Sequence, residues 1–127
     1  MPGPKCTLIL RPSKRIGLMA LVTVTERKER EASRRRASAE RILTALAEYG
    51  RCHNGRYIVF GSAASGEMTY HSDFDVIVDF PPEVESNAIL FVEDLCYSEK
   101  LPVDAFHLSE LSEAFMARNG AGMRVLP

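Results

Sequence analysis

Asp73 and Asp75 stand two apart in Ser72-Asp73-Phe74-Asp75, and the apolar run Val76-Ile77-Val78 behind them reads as a buried strand. Alternate side chains on a strand share a face about 6.6 Å apart, so both carboxylates can reach one small ion or a pair of ions. Two such acids repel each other without a cation, and Mg²⁺ between them removes the repulsion. Asp104 is the only carboxylate in Leu101 to Leu108, a third strand-like run. An isolated buried Asp is costly, and metal coordination offsets that cost. Gly61-Ser62-Ala63-Ala64-Ser65-Gly66 follows the apolar run Tyr57 to Phe60. A glycine there lets the chain turn into a short helix whose outward amides suit phosphate oxygens, and the Ser62 hydroxyl can donate to the same oxygens. No Lys follows Gly66, so the segment is not a P-loop, and it is not a G-x-G-x-x-G fingerprint either.

These residues need a scaffold. Thr23-Val24-Thr25-Glu26 has the form of a capping box and predicts a helix that starts there and stops at Gly50. Its apolar stripe is Ile42, Leu43, Leu46, Ala47 and Tyr49, while Glu26/Arg30 and Glu31/Arg35 form i,i+4 pairs. The amino-terminal half lacks an apolar face, which predicts that it projects into solvent or docks outside the domain. Strands follow at 56–60 and 73–80, the second ended by Pro81-Pro82. Next come a helix over 86–99 with Ile89, Val92 and Cys96 inward, a strand over 102–108, a helix capped by Ser109 and stopped at Asn119-Gly120, and an edge strand within 123–126. Strands alternating with helices imply a helix-covered sheet, α/β or α+β.

A chain of 127 residues suits one domain, and 46% hydrophobic with 26% charged residues is ordinary globular composition. Charge is divided along it. Residues 1–56 hold 13 basic and 5 acidic side chains, whereas residues 57–127 hold 3 basic and 12 acidic ones. The acidic half repels bare nucleic acid and attracts divalent cations, and the basic half can meet phosphates or an acidic partner. Cys6, Cys52 and Cys96 are scattered, with neither a disulfide framework nor a zinc spacing, as expected of reduced thiols in the cytoplasm. No segment has the apolar length of a membrane helix. Residues 1–18 read as a leader outside the fold, with Met19 a sensible start.

Other residues have plainer readings. Ile77 and Val78 stand where an EF-hand needs an oxygen ligand and Gly, which excludes that loop. Asp79 lies about 13 Å from Asp75 along the strand, too far for the same ions, and reads as a solvated acid. His71 reads as a loop residue beside the cleft, His53 as a turn residue, and His107 as facing away from Asp104.

Gly61-Ser62, ten residues, Asp73-Phe74-Asp75, an apolar strand and a later single Asp104 together resemble the minimal nucleotidyltransferases of the DNA polymerase beta-like superfamily. Their pattern is G-S-x-A-[RK]-G, a short loop and S-D-x-D, matched here at Gly61, Ser62, Ala64, Gly66, Ser72, Asp73 and Asp75. The resemblance covers about residues 37–126 and divides the chain into a leader with a basic helix start (1–36) and the nucleotidyltransferase domain (37–127). It implies a mixed sheet with Asp73, Asp75 and Asp104 as catalytic metal ligands for two Mg²⁺ ions. Nucleotide contacts fall on Gly61, Ser62, Ser65, Gly66 and Ser72. The implied reaction moves a nucleoside monophosphate, AMP from ATP, to a protein or small-molecule hydroxyl. It also implies a HEPN-type toxin as partner, a homo- or hetero-oligomer, and nucleic acid disfavoured with tRNA left open. Ser65 stands where the family carries Arg or Lys. The alternative is therefore a weak or inactive member that neutralises a partner by contact.

Overall fold

The computed structural model describes residues 16–127. Helix α1 (Ile16–Cys52) leads into β1 (Arg56–Phe60), the short α2 (Ser62–Ser65), β2 (Phe74–Asp79), α3 (Pro82–Ser98) and β3 (Val103–His107). A 3-10 turn (Leu108–Glu110), α4 (Glu113–Asn119), a second 3-10 turn (Gly120–Gly122) and the two-residue β4 (Arg124–Val125) complete the chain. The strands form one sheet in the order β3-β2-β1-β4. β1 is antiparallel to β2 and β4, whereas β2 and β3 run parallel, with α3 as the crossover between them. No helix among the described residues is long and apolar enough to cross a membrane.

The two faces of the sheet are covered unequally. On one, Ile42, Leu43 and Leu46 of α1 and Ala88, Val92 and Cys96 of α3 pack on Tyr57, Val59, Phe74, Val76 and Val78. Each fully buried aliphatic side chain of this kind contributes about 1.5–3 kcal/mol. On the other, a smaller cluster of Ile58, Phe60 and Ile77 is covered by Phe106, Leu108, Leu111, Phe115 and Met123. The Tyr57 hydroxyl donates to the Ala88 carbonyl at 2.7 Å inside the larger core. Burial pushes its pKa upward, so the phenol stays protonated.

Several expectations are corrected. Thr23–Glu26 lies inside α1 and starts nothing. The Thr-x-x-Glu pattern fits a helix interior equally well, and the last upstream breaker is Pro12. Gly50 does not stop the helix, which runs on to Cys52 before a turn with Asn54 at φ 59°. The third helix begins at Pro82, four residues before the expected start, with proline in its first turn. Ser109 sits in a 3-10 turn, and Ser112 caps α4 by accepting from the Phe115 amide at 3.0 Å. The expected boundary between residues 36 and 37 falls within the unbroken α1. Of the leader expected over 1–18, residues 1–15 lie outside the described residues, as does Cys6, and 16–18 belong to α1.

Residues 24–30 of α1 are exposed, as expected of a segment that projects into solvent, and the stretch that follows, Glu31 to Arg36, docks on its own domain. Its contacts are polar, which is why no apolar face announces them. Arg34 donates to the Glu99 and Lys100 carbonyls (2.6 and 2.8 Å), Arg35 to the Ser72 carbonyl (2.6 Å) and Arg36 to the Met68 carbonyl (2.9 Å). Arg41 pairs with the Glu99 carboxylate at 2.7 Å. Asp79 is likewise paired rather than simply solvated, taking Arg56 across the sheet at 2.8 Å.

Gly55, at the entry to β1, faces the ring of Phe80, and a Cβ there would lie 2.2 Å from Cδ2. Gly55→Ala is expected to destabilise the fold by about 1–3 kcal/mol through overpacking, read as a lower urea midpoint at unchanged slope.

Candidate active site

The parallel register pairs Asp75 of β2 with Asp104 of β3, and the antiparallel register pairs Asp75 with Phe60 of β1. Phe60, Asp75 and Asp104 therefore form one row across the sheet, on the face whose next row holds Ile58, Ile77 and Phe106. The apolar cluster built on that second row, with Phe115 edge-on to Phe60 at 5.4 Å, leaves the ends of β2 and β3 open. Asp104 is exposed, not buried as its place in the strand suggested, so no burial cost falls on it; Asp73, also exposed, precedes β2 by one residue and stands near enough to act on Asp75 electrostatically. Asp75 and Asp104 thus lie side by side at the starts of β2 and β3, with Asp73 just before β2.

Asp75 is partly buried, and its carboxyl is raised to about 6. Burial is the larger cause, followed by the negative charges of Asp104 and Asp73. Among the described residues, no hydrogen bond or ion pair offsets the charge of any of the three carboxylates. Nor is any group of three His, Cys, Asp or Glu side chains among the described residues arranged to hold a metal ion. An open edge with an adjacent carboxylate pair still fits Mg²⁺, which is commonly held by one or two carboxylates together with substrate phosphates and water.

Gly61 makes room for this arrangement. Its φ of 71° and ψ of −151° fall in a region essentially confined to glycine, and a Cβ there would come 2.7 Å from Asp75 Oδ2. After it the chain closes into α2, with the Ala64 and Ser65 amides donating back to the Gly61 carbonyl at 3.1 and 3.2 Å. Gly66 ends the turn at φ 80°. Ser62 is half-buried at the start of α2, next to the row of acids.

The other expected nucleotide contacts are engaged within their own loop. Ser65 Oγ donates to the Ser62 carbonyl at 3.4 Å and accepts from the Glu67 amide at 3.3 Å. Ser72 Oγ accepts from the Thr69 amide at 2.8 Å, which closes the turn that delivers Asp73. Thr69 Oγ1 also lies 3.0 Å from His71 Nδ1 in the exposed part of that turn. His107 faces the opposite side of the sheet from Asp104 and sits 2.7 Å from Glu85 of α3, whose side-chain hydrogen bond raises the imidazole pKa.

The family model of a nucleotidyltransferase domain matches residues 39–117, a span that holds Gly61, Ser62 and all three aspartates. The chain belongs to that family. No curated relative matches the chain. The nucleotidyltransferase domain has the mixed sheet that the sequence resemblance implied, and its three motif segments meet at one edge. Sequence reading found the Glu31/Arg35 pair but missed that Arg34, Arg35 and Arg36, outside the matched span, hold the loops that carry the acids. The available signal was three consecutive arginines on a helix without an apolar face. A hollow of about 560 Å³ lined by Arg35, Tyr97, Ser98, Lys100, Leu101 and Pro102 contains none of the three aspartates.

Asp75 binds its proton more tightly folded than unfolded, so its contribution to stability falls as pH rises from about 4 to about 6. Asp75→Asn is therefore expected to raise the melting temperature of the metal-free nucleotidyltransferase domain at pH 7.5 by a few degrees, with the gain vanishing near pH 4. Gly61→Ala is expected to lose nucleotidyl transfer because it combines backbone strain of about 1–3 kcal/mol with displacement of the Asp75 carboxylate. Gly66→Ala, whose Cβ would meet nothing within 4 Å, is expected to keep most of the activity in the same assay while losing some stability.

Proposed function

We propose that this nucleotidyltransferase domain moves AMP from ATP to a hydroxyl on a protein or small molecule, with Mg²⁺ held by Asp73, Asp75 and Asp104. The observation that carries the reading is the placement of Asp75 beside Asp104 at one register position, with Asp73 immediately before the same strand. Asp75, half-buried beside two further carboxylates and without a side-chain partner, is unfavourable as a charge unless a cation enters. Bound there, two cations would supply charge neutralisation of the triphosphate and activation of the acceptor oxygen.

Each protein group then has a definite task. The turn at Gly61-Ser62 receives phosphate oxygens, with the Ser62 hydroxyl as donor. Asp104, exposed at the start of β3, takes the proton of the acceptor hydroxyl. The acceptor oxygen forms a bond to the α-phosphorus, the bond from that phosphorus to the β-bridging oxygen breaks, and pyrophosphate departs with its electron pair. Asp73 and Asp75 would hold the cations that neutralise the charge developing at the α-phosphorus.

A second reading has one observation in its favour. Ser65 occupies the position of the family's cation and turns back on its own loop, which removes a charge from the triphosphate site. On that reading the domain binds a partner, such as a HEPN-type toxin, without modifying it.

Incubation with α-labelled ATP, Mg²⁺ and the product of the neighbouring reading frame separates the two. Transfer is expected with the wild-type chain and should fall on the order of a hundredfold in Asp73→Asn and Asp75→Asn. Label that persists in both variants removes the acids from the mechanism. Tight partner binding without any label supports the contact-only reading.

A further inference from the structure

β2 and β3 run parallel, so their acid-bearing ends are entered by two loops on the same side of the sheet. The loop before β2 carries Ser72 and Asp73, and the one before β3 carries Glu99 to Pro102. They are joined to each other by the Phe74 amide donating to the Pro102 carbonyl at 2.8 Å. Each is also tied to α1 by a guanidinium on a backbone carbonyl, Arg35 and Arg36 on the first and Arg34 on the second. Successive helical positions diverge by about 100°, which lets neighbouring arginines on one helix serve different loops. Glu31, one turn earlier, grips both Arg34 (2.8 and 3.0 Å) and Arg35 (2.7 Å), limiting where their side chains can go.

Arg35 is the least exposed of the arginines in these ion pairs, at 15%. Its bond goes to the carbonyl of Ser72, the residue directly before Asp73. A planar, permanently charged donor held from behind by a carboxylate is suited to fixing a backbone position. We propose that Arg35, held by Glu31, is a positioning residue that sets Asp73 against the Asp75–Asp104 pair and so fixes the affinity of this edge for a divalent cation. The proposal rests on the metal-dependent reading above and adds to it a control element outside the matched span.

Calorimetric titration of the full chain with Mn²⁺ alone tests it. Arg35→Met is expected to weaken Mn²⁺ binding by about tenfold or more, as removal of outer supporting contacts does elsewhere. Arg35→Lys should recover part of the loss. Arg41→Met removes a guanidinium of the same helix that pairs only with side chains and should bind as the wild-type chain does. Glu31→Gln leaves both arginines in place and should weaken binding in the same direction by less, so it carries the test if Arg35→Met does not fold. Wild-type affinity in both Arg35→Met and Glu31→Gln overturns the proposal, as does an equal loss in Arg41→Met. Asp75→Asn run alongside distinguishes the two levels. If it loses binding while Arg35→Met does not, the metal reading stands and the positioning role falls. If the wild-type chain takes up no Mn²⁺, both fall.

Discussion

Asp75 and Asp104 stand side by side at one end of the sheet and repel each other, a repulsion that the surrounding architecture imposes. The pairing of Asp75 with Asp104 exists only because β2 and β3 are parallel. A parallel pair cannot be joined by a hairpin, so the chain needs the crossover α3. α3 in turn needs an apolar stripe, supplied by Ala88, Val92 and Cys96 against the larger core. Gly61 leaves the volume that the Asp75 carboxylate occupies. The site is thus a demand on the fold as a whole.

Unequal covering of the sheet explains where the acids can lie. The face under α1 and α3 is closed by large side chains and could not accept an unpaired charge. The other face is closed only over its middle by Phe106, Leu111 and Phe115. Asp75 sits at the border of that apolar cover, dry enough for its carboxyl to be raised and close enough to the open strand ends to meet an ion. Asp73 and Asp104, both exposed, remain in solvent on either side of it.

The strands were legible because their signals are local. Tyr57 to Phe60 and Val76 to Val78 are short apolar runs bounded by glycine or proline, whereas the row that joins Asp75 to Asp104 depends on the β2–β3 register, which no local pattern carries. Helix termini were less so. Thr23-x-x-Glu26 satisfies the capping rule inside a helix, and Ser109 and Ser112 are equally good caps until the 3-10 turn between β3 and α4 chooses the second. The arginine contacts were out of reach for another reason. Their acceptors are backbone carbonyls at Met68, Ser72, Glu99 and Lys100, and every residue type has a carbonyl, so nothing in the sequence marks the partner. The same holds for Arg56 with Asp79, which requires the β1–β2 register before it can be seen.

The parallel pairing of β2 with β3 has a thermodynamic corollary. In a denatured chain the aspartates of those two strands are far apart, and the edge proposed to bind an ion does not exist. A cation that recognises the assembled edge therefore binds only the native form and draws the folding equilibrium toward it by mass action. The free concentration of that ion would then govern how much intact protein persists as well as how fast it turns over.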